Sequence, residues 1–273
     1  MTAADLAGPA ADEAVPCVAR RLAVAWQNPT TRAISPVAVL DFDEQQYALA
    51  YVRRALSVDG FRPLLGFPDL HRRYESEHLF PLFAQRVMDP RRPDHERYVR
   101  RLGLGADASP WEQMTRSGGG RHGDLLQMFP EPETLPDGSI TCTFLLHGIR
   151  HVPSRPLVLA GRELSPAADE VERRLAALRP GDPLRLVREE GSVWNPRAVI
   201  TAAADGYPLG WVPDLLLDDL YAMSGGAPGD VDATVEQANG PDAPAHMRVL
   251  ARLNARPVAG YAPFSGPEWE PLA

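Results

Sequence analysis

Side chains able to do chemistry gather in a few short stretches of this 273-residue chain. The densest is 181–213, where Trp194 and Asn195 stand side by side in a turn between two apolar-alternating runs, and Arg188 lies on the run that enters the turn. A large ring next to an amide can present a flat face with a hydrogen-bonding group at its edge. The same pair can equally be a core ring beside a turn former. Upstream, Arg150 and His151 follow the apolar run Ile140–Leu146, with His147 four residues before His151. Residues four apart on a strand share a face, but two histidines without a third ligand do not make a metal site. Arg116, Arg121, His122 and Asp124 surround three consecutive glycines, 118–120. Such glycines can turn backbone amides toward an anion. The spacing fits neither GxGxxG nor a Walker pattern, and a plain turn is the simpler reading.

The remaining candidates point away from catalysis. Glu189-Glu190 and Asp218-Asp219 are adjacent pairs, and neighbours on a strand face opposite ways, which does not build an acid–base dyad. No GxSxG, HExxH or paired Cys/His pattern occurs. All 28 basic residues are arginine. The lack of lysine excludes a P-loop lysine, a kinase strand lysine and a Schiff base together. Phosphate contacts must come from arginine, neutral donors or backbone amides. The expectation is a protein without catalytic residues, cofactor or metal.

A net charge of −8 argues against broad nucleic-acid affinity, and the charge is uneven. Residues 71–121 hold ten arginines against seven acids, whereas 137–273 hold twelve against eighteen. Any nucleic-acid site in the second half must therefore be small and local. Arg91, Arg92, Arg97, Arg100 and Arg101 make a basic helical stretch, but interleaved Asp89, Asp94 and Glu96 give it the look of a solvated face. Cys17 and Cys142 are far apart and outside any CxxC spacing, so no disulfide framework is expected and a reducing cytoplasm is the default location. No apolar run reaches bilayer length, which leaves no expected membrane partner. Residues 1–18 are acidic and rich in Ala and Pro, which reads as a flexible tail and not a signal peptide.

The elements that must position these groups follow from period and punctuation. Alternating runs at 21–26, 36–42 and 47–51 predict an N-terminal β-meander. Helices are expected over 78–88, over 95–104 with Asp94 as cap, and from Ser109-Pro110-Trp111-Glu112, a capping-box spacing with proline at the first position. A strand at 125–129 and a proline-rich linker at 130–136 follow. The second half reads as a strand at 140–146, an insertion at 153–179 with a helix after Ser165-Pro166, a meander over 181–213, a helix near 214–223 and two late strands. Asn-Pro and Asp-Gly dipeptides mark the turns of that meander.

Gly181-Asp182-Pro183-Leu184, then Trp194-Asn195-Pro196-Arg197-Ala198, then Leu209-Gly210-Trp211-Val212-Pro213 come in the order of the HIRAN family's motifs. His147–His151 resembles that family's opening strand. The resemblance covers about 141–255 and implies a small β-barrel that grips the free 3′ end of single-stranded DNA. It implies that His151 and Trp194 sandwich the terminal base, Arg150 holds a phosphate and Asn195 reads the 3′-hydroxyl, with Arg188 alongside. The family often has tyrosines and an aspartate where His151, Trp194 and Asn195 stand. Residues from about 30 to 132 resemble the non-catalytic N-terminal subdomain of HipA-type serine kinases, through RPLLGFPD, LFPLFAQRVMD, RYVRRLGL and SGGGRHGD. That resemblance implies a partner-binding surface.

The combined expectation is an α+β chain with a HipA-like part over 19–136, made of a β-meander and helices, and a HIRAN-like β-barrel with an inserted helix over 137–273. Its implied role is a bacterial DNA-binding adaptor in repair or phage defence. The alternative is a protein-interaction or antitoxin-like module that binds no nucleic acid.

Overall fold

The computed structural model describes residues 20–120 and 125–273. The tail expected over 1–18, Cys17, and Arg121, His122 and Asp124 lie outside the described residues. The first half forms β1 (Arg21–Gln27), β2 (Ile34–Phe42), β3 (Tyr47–Tyr51), β4 (Tyr74–Ser76), α1 (Pro81–Ala84), α2 (His95–Arg101), α3 (Pro110–Ser117) and β5 (Leu126–Pro130). Its strands make one antiparallel sheet in the order β4-β3-β2-β1-β5. The turns are built by short polar side chains. Asn28 Oδ1 accepts from the Thr30 and Thr31 amides at 2.8 and 3.0 Å, and Asp43 Oδ1 accepts from Gln45 and Gln46 at 3.0 and 2.7 Å. This is how Asn and Asp reverse a chain.

The capping box at α3 forms as its spacing predicts. Ser109 Oγ accepts from the Glu112 amide at 3.2 Å, and Glu112 Oε2 accepts from the Ser109 amide at 2.7 Å. Gly118 then ends the helix in the left-handed region at φ 67°. Gly119 follows at φ 55°, again in the region that favours glycine, and a Cβ there would push aside the Met128 methyl 1.8 Å away.

Two expected helical features differ. The helix expected over 78–88 is a single turn, α1. Beyond it the Arg86 and Val87 amides reach back only three residues, and the Met88 amide is taken by Gln113 Oε1 at 3.1 Å. Asp94 precedes α2 but does not cap it, since its carboxylate accepts from Arg92 at 3.0 and 3.1 Å. The irregular loop RPLLGFPD is held by one buried hydroxyl: Tyr51 donates to Phe67 O at 2.7 Å and accepts from the Leu64 amide at 2.6 Å.

The second half adds β6 (Glu133–Thr134), β7 (Ile140–Leu145), β8 (Leu157–Leu159), β9 (Arg162–Leu164), α4 (Ala168–Ala177), β10 (Pro183–Glu190), β11 (Val199–Ala203), β12 (Pro208–Trp211), α5 (Asp214–Met223), β13 (Asp232–Ala238) and β14 (Val249–Ala255). Strand membership changes sheets inside the proline-rich linker, between Pro130 and Glu133. The second sheet runs β12-β11-β10-β13-β14-β7-β6, with the β8–β9 hairpin attached to the end of β10. It curls until its far strands meet. The His147 amide donates to Trp211 O and the Trp211 amide to His147 O, both at 2.9 Å. The result is an α+β chain with mostly antiparallel sheets, the second one rolled.

Each sheet has its own apolar core. A small third cluster of Ala23, Ala25, Phe129, Leu215 and Phe264 joins them. After β14 the chain returns to the first sheet. The Leu272 amide donates to Tyr51 O at 2.9 Å, the Arg53 amide donates to Glu270 O at 2.8 Å, and Phe264 stacks on Trp269 with ring centroids 4.3 Å apart. Among the described residues no helix is long and apolar enough to cross a membrane.

Candidate functional site

The turn at 191–198 joins β10 to β11 and begins at Gly191 with φ 70°. Asn195 organises it. Its Oδ1 accepts from the Arg197 amide at 2.9 Å, and its Nδ2 donates to Asp214 Oδ1 at 2.9 Å, at the first residue of α5. Both ends of the amide are thus engaged, and the turn is fastened to the helix. At its tip Trp194 is 82 % exposed and Val193 84 %. The indole contributes nothing to the core, so the core-ring reading of Trp194 does not hold. Arg188 is exposed beside it and reaches Pro196 O at 3.4 Å. Arg197 is spoken for: it pairs with Asp218 and lies 4.5 Å over the Tyr221 ring.

Arg150 and His151 do not end a strand. They sit on a 3-10 turn, Ile149–Ser154, which follows Gly148 at φ 65°. Ile149 and Val152 are buried and anchor the turn, while Arg150 and His151 are exposed, with Arg150 Nε 3.4 Å from His151 Nε2. The chain leaves the alternating pattern here because Gly148 passes under an indole. A Cβ at 148 would lie 2.7 Å from Trp211 Cε3.

The five candidate residues therefore form two groups. Trp194, Asn195 and Arg188 share one turn, and Arg150 and His151 share another. No hydrogen bond, ion pair or ring contact joins Trp194 to His151. Asp214, which Asn195 holds, follows β12, the strand whose Trp211 pairs with His147.

Beneath these turns lies a buried polar cluster that spacing alone did not reveal. Glu189 is 1 % exposed. Trp211 Nε1 donates to its Oε2 at 2.9 Å, and Arg155 Nη1 lies 2.5 Å from Oε1 as an ion pair whose alignment falls short of a hydrogen bond. The Arg155 guanidinium also lies 5.8 Å from the centre of the Trp211 ring. Glu190, one residue on, faces outward and accepts from the Gly161 amide at 3.0 Å. The adjacent acids do take opposite faces, as strand geometry requires.

Asp218 and Asp219 divide similarly. Asp218 is exposed, and Asp219 is 6 % exposed. Asp219 Oδ1 accepts from Tyr261 Oη at 2.8 Å and from the Phe264 amide at 3.2 Å. Burial raises its carboxyl to about 6 despite these donors. The folded pKa exceeds that of an unfolded aspartate, so the folded chain binds the extra proton between about pH 4 and 6, and stability falls as pH rises through that window. Asp219→Asn keeps an oxygen for both donors and removes the charge. Urea unfolding from pH 4 to 8 is expected to show the variant equal to wild type at pH 4 and more stable above pH 6.5, by up to about 3 kcal/mol. An equal decline in both proteins would assign the pH dependence elsewhere.

Other candidates resolve as structure. The Cys142 thiol is buried and pushed up to about 12, far from a reactive thiolate. In the basic helical stretch, Arg100 pairs with Glu96, Arg92 with Asp94, and Arg101 with Asp242, donating also to Asp242 O at 2.9 Å. Among the described residues no group of three His, Cys, Asp or Glu could hold a metal ion.

Among solved structures, the crystal structure of the HIRAN domain of human HLTF aligns with 44% of this chain and 78% of its own, at 11% sequence identity and a TM-score of 0.26. No protein-family model and no curated protein matches the chain. No HipA-type protein is among these findings.

Proposed function

We propose that the rim formed by the turns 191–198 and 149–154 binds single-stranded DNA at or near a free 3′ end, without catalysis. The observation that carries this reading is the Trp194 indole, 82 % exposed at the tip of a turn that Asn195 fastens to α5. A flat ring held out on a braced backbone loses little entropy when a base stacks on it, and base–aromatic stacking contributes about 1–3 kcal/mol and tolerates any base. Arg150 and Arg188 are the exposed guanidiniums for adjacent phosphates, and His151 is a second flat ring. Asn195, with both polar atoms engaged, acts as the brace of the turn, and a 3′-hydroxyl would have to displace one of its partners. On this reading the chain is an adaptor that needs no cofactor. Its first half recruits a protein partner, and its place is cytoplasmic DNA repair or phage defence in a bacterium.

The test is fluorescence anisotropy with single-stranded oligonucleotides ending in 3′-hydroxyl or 3′-phosphate, and with a blunt duplex. Preference for the single strand with a free hydroxyl is expected. The salt slope should be shallow, about −1.4 for two phosphates at about −0.7 each. Equal affinity for all three probes, or a steep slope, would overturn the end-reading role.

A second reading has one observation in its favour. Asp214, Asp218 and Glu190 are exposed acids around the same turn, and an exposed tryptophan is also a common centre of protein interfaces. Absence of oligonucleotide binding together with loss of a co-purifying protein on Trp194→Ala would select it.

A further inference from the structure

The segment 258–273, which follows β14, is held at two seats. At the first, α5 supplies the acceptors. The Val258 amide donates to Met223 O at 3.0 Å, and Asp219 Oδ1 takes the Tyr261 hydroxyl and the Phe264 amide. At the second, the segment completes a sheet edge. β4 accompanies β3 only as far as Leu49. Beyond that point Tyr51 O accepts from the Leu272 amide, the Arg53 amide donates to Glu270 O, and the Arg53 guanidinium pairs with the Glu270 carboxylate. Val52 and Pro271 face each other as an antiparallel bridge. Trp269 packs on Val39, Ala50 and Val52, and Leu272 packs on the first core.

The second seat has the parts that a sheet uses to dock an added strand: main-chain bonds for affinity and side-chain seats for specificity. The first seat holds the segment under strain. Phe264 sits at φ 42°, a region that bulky side chains rarely enter. Its amide is drawn to Asp219, which is 6 % exposed and whose two donors both belong to the segment. Release relaxes that backbone and returns the carboxylate to water, so both effects offset part of what the contacts contribute. Between the seats, residues 265–268 are exposed. An occupant held in this way is open to displacement.

We propose that residues 269–272 are the chain's own occupant of a peptide-docking edge at Tyr51–Arg53, and that an acidic extended segment of a protein partner, with an aromatic and an aliphatic residue three apart, takes their place. The occupant defines the partner's chemistry. An aromatic ring covers Val39, Ala50 and Val52, an aliphatic side chain reaches the first core, and a carboxylate meets Arg53. Arg54 is exposed beside Arg53, and 258–273 carries Glu268 and Glu270 with no basic residue. The proposal is independent of the rim.

The test is fluorescence anisotropy of a labelled peptide with the sequence of residues 266–273, titrated with the full chain. Wild type is expected to bind it weakly, because its own segment competes. Trp269→Ala in the protein weakens the competitor and leaves the seat intact, so it should bind the peptide about tenfold more tightly or better. Glu270→Arg in the protein sets like charges together at an exposed pair, spares the apolar contacts and should act in the same direction. Adding Arg53→Glu to Trp269→Ala should reverse the gain, and a peptide carrying W269A should not bind. Failure of both Trp269→Ala and Glu270→Arg to bind the peptide better than wild type, with circular dichroism showing the chains folded, would overturn the proposal. Equal binding of the W269A peptide would also overturn it.

Discussion

Arg155→Met is expected to destabilise the protein by about 3–5 kcal/mol, while Arg155→Met combined with Glu189→Gln recovers most of the loss. The single change leaves a carboxylate that is 1 % exposed with the Trp211 N–H as its remaining partner. Removing one member of a buried pair costs far more than the pair is worth, because the other charge stays desolvated. Methionine keeps an apolar stem near the Trp211 ring, so the loss reports charge more than packing. Glutamine at 189 can still accept from the indole without carrying a charge. Chemical unfolding of wild type, both singles and the double completes the cycle. Additive losses would show that Arg155 and Glu189 act separately.

Trp194→Ala is expected to weaken single-stranded DNA binding by about 5- to 150-fold, the equivalent of one lost stacking contact, with Trp194→Tyr recovering most of the affinity. Stability should change by no more than about 0.5 kcal/mol, because the indole is 82 % exposed and packs on nothing that the fold needs. That separation makes the variant informative. Loss of binding in a protein of unchanged melting temperature locates the contact at the rim. Unchanged anisotropy titrations would remove the indole from any nucleic-acid contact.

What the sequence disclosed was local, and what it concealed was long-range. Ser109 and Glu112 declare α3 because the capping box is written within four residues. The β10–β12 meander was legible from alternation and turn dipeptides, and alternation also separated buried Glu189 from exposed Glu190. The β8–β9 hairpin escaped because its tight turn puts Ala160 at φ 49° beside Gly161 at φ 71°. Alanine gives no hint of a backbone that normally asks for Gly, Asn or Asp. The 3-10 turn that carries Arg150 and His151 was hidden for another reason: Gly148 yields to the Trp211 ring, sixty-odd positions away in the chain. The pairing of Arg155 with Glu189 likewise depends on the β8–β9 hairpin reaching the end of β10. Exposure at Trp194 could not be read at all, since a tryptophan between strands is as compatible with a core as with a rim.

The return of the chain after β14 sets a rule for anyone dissecting the molecule. Cutting at the proline-rich linker seems natural, since the sheets change there. Such a cut would strip the first fragment of the segment that shields Val39, Ala50 and Val52 through Trp269. It would leave the other fragment carrying Leu272 without the core it packs against, and Phe264 and Trp269 without Ala23, Ala25 and Phe129. Both pieces would meet solvent with bare apolar surface, so aggregation of separately expressed halves would say nothing against either half's role in the whole.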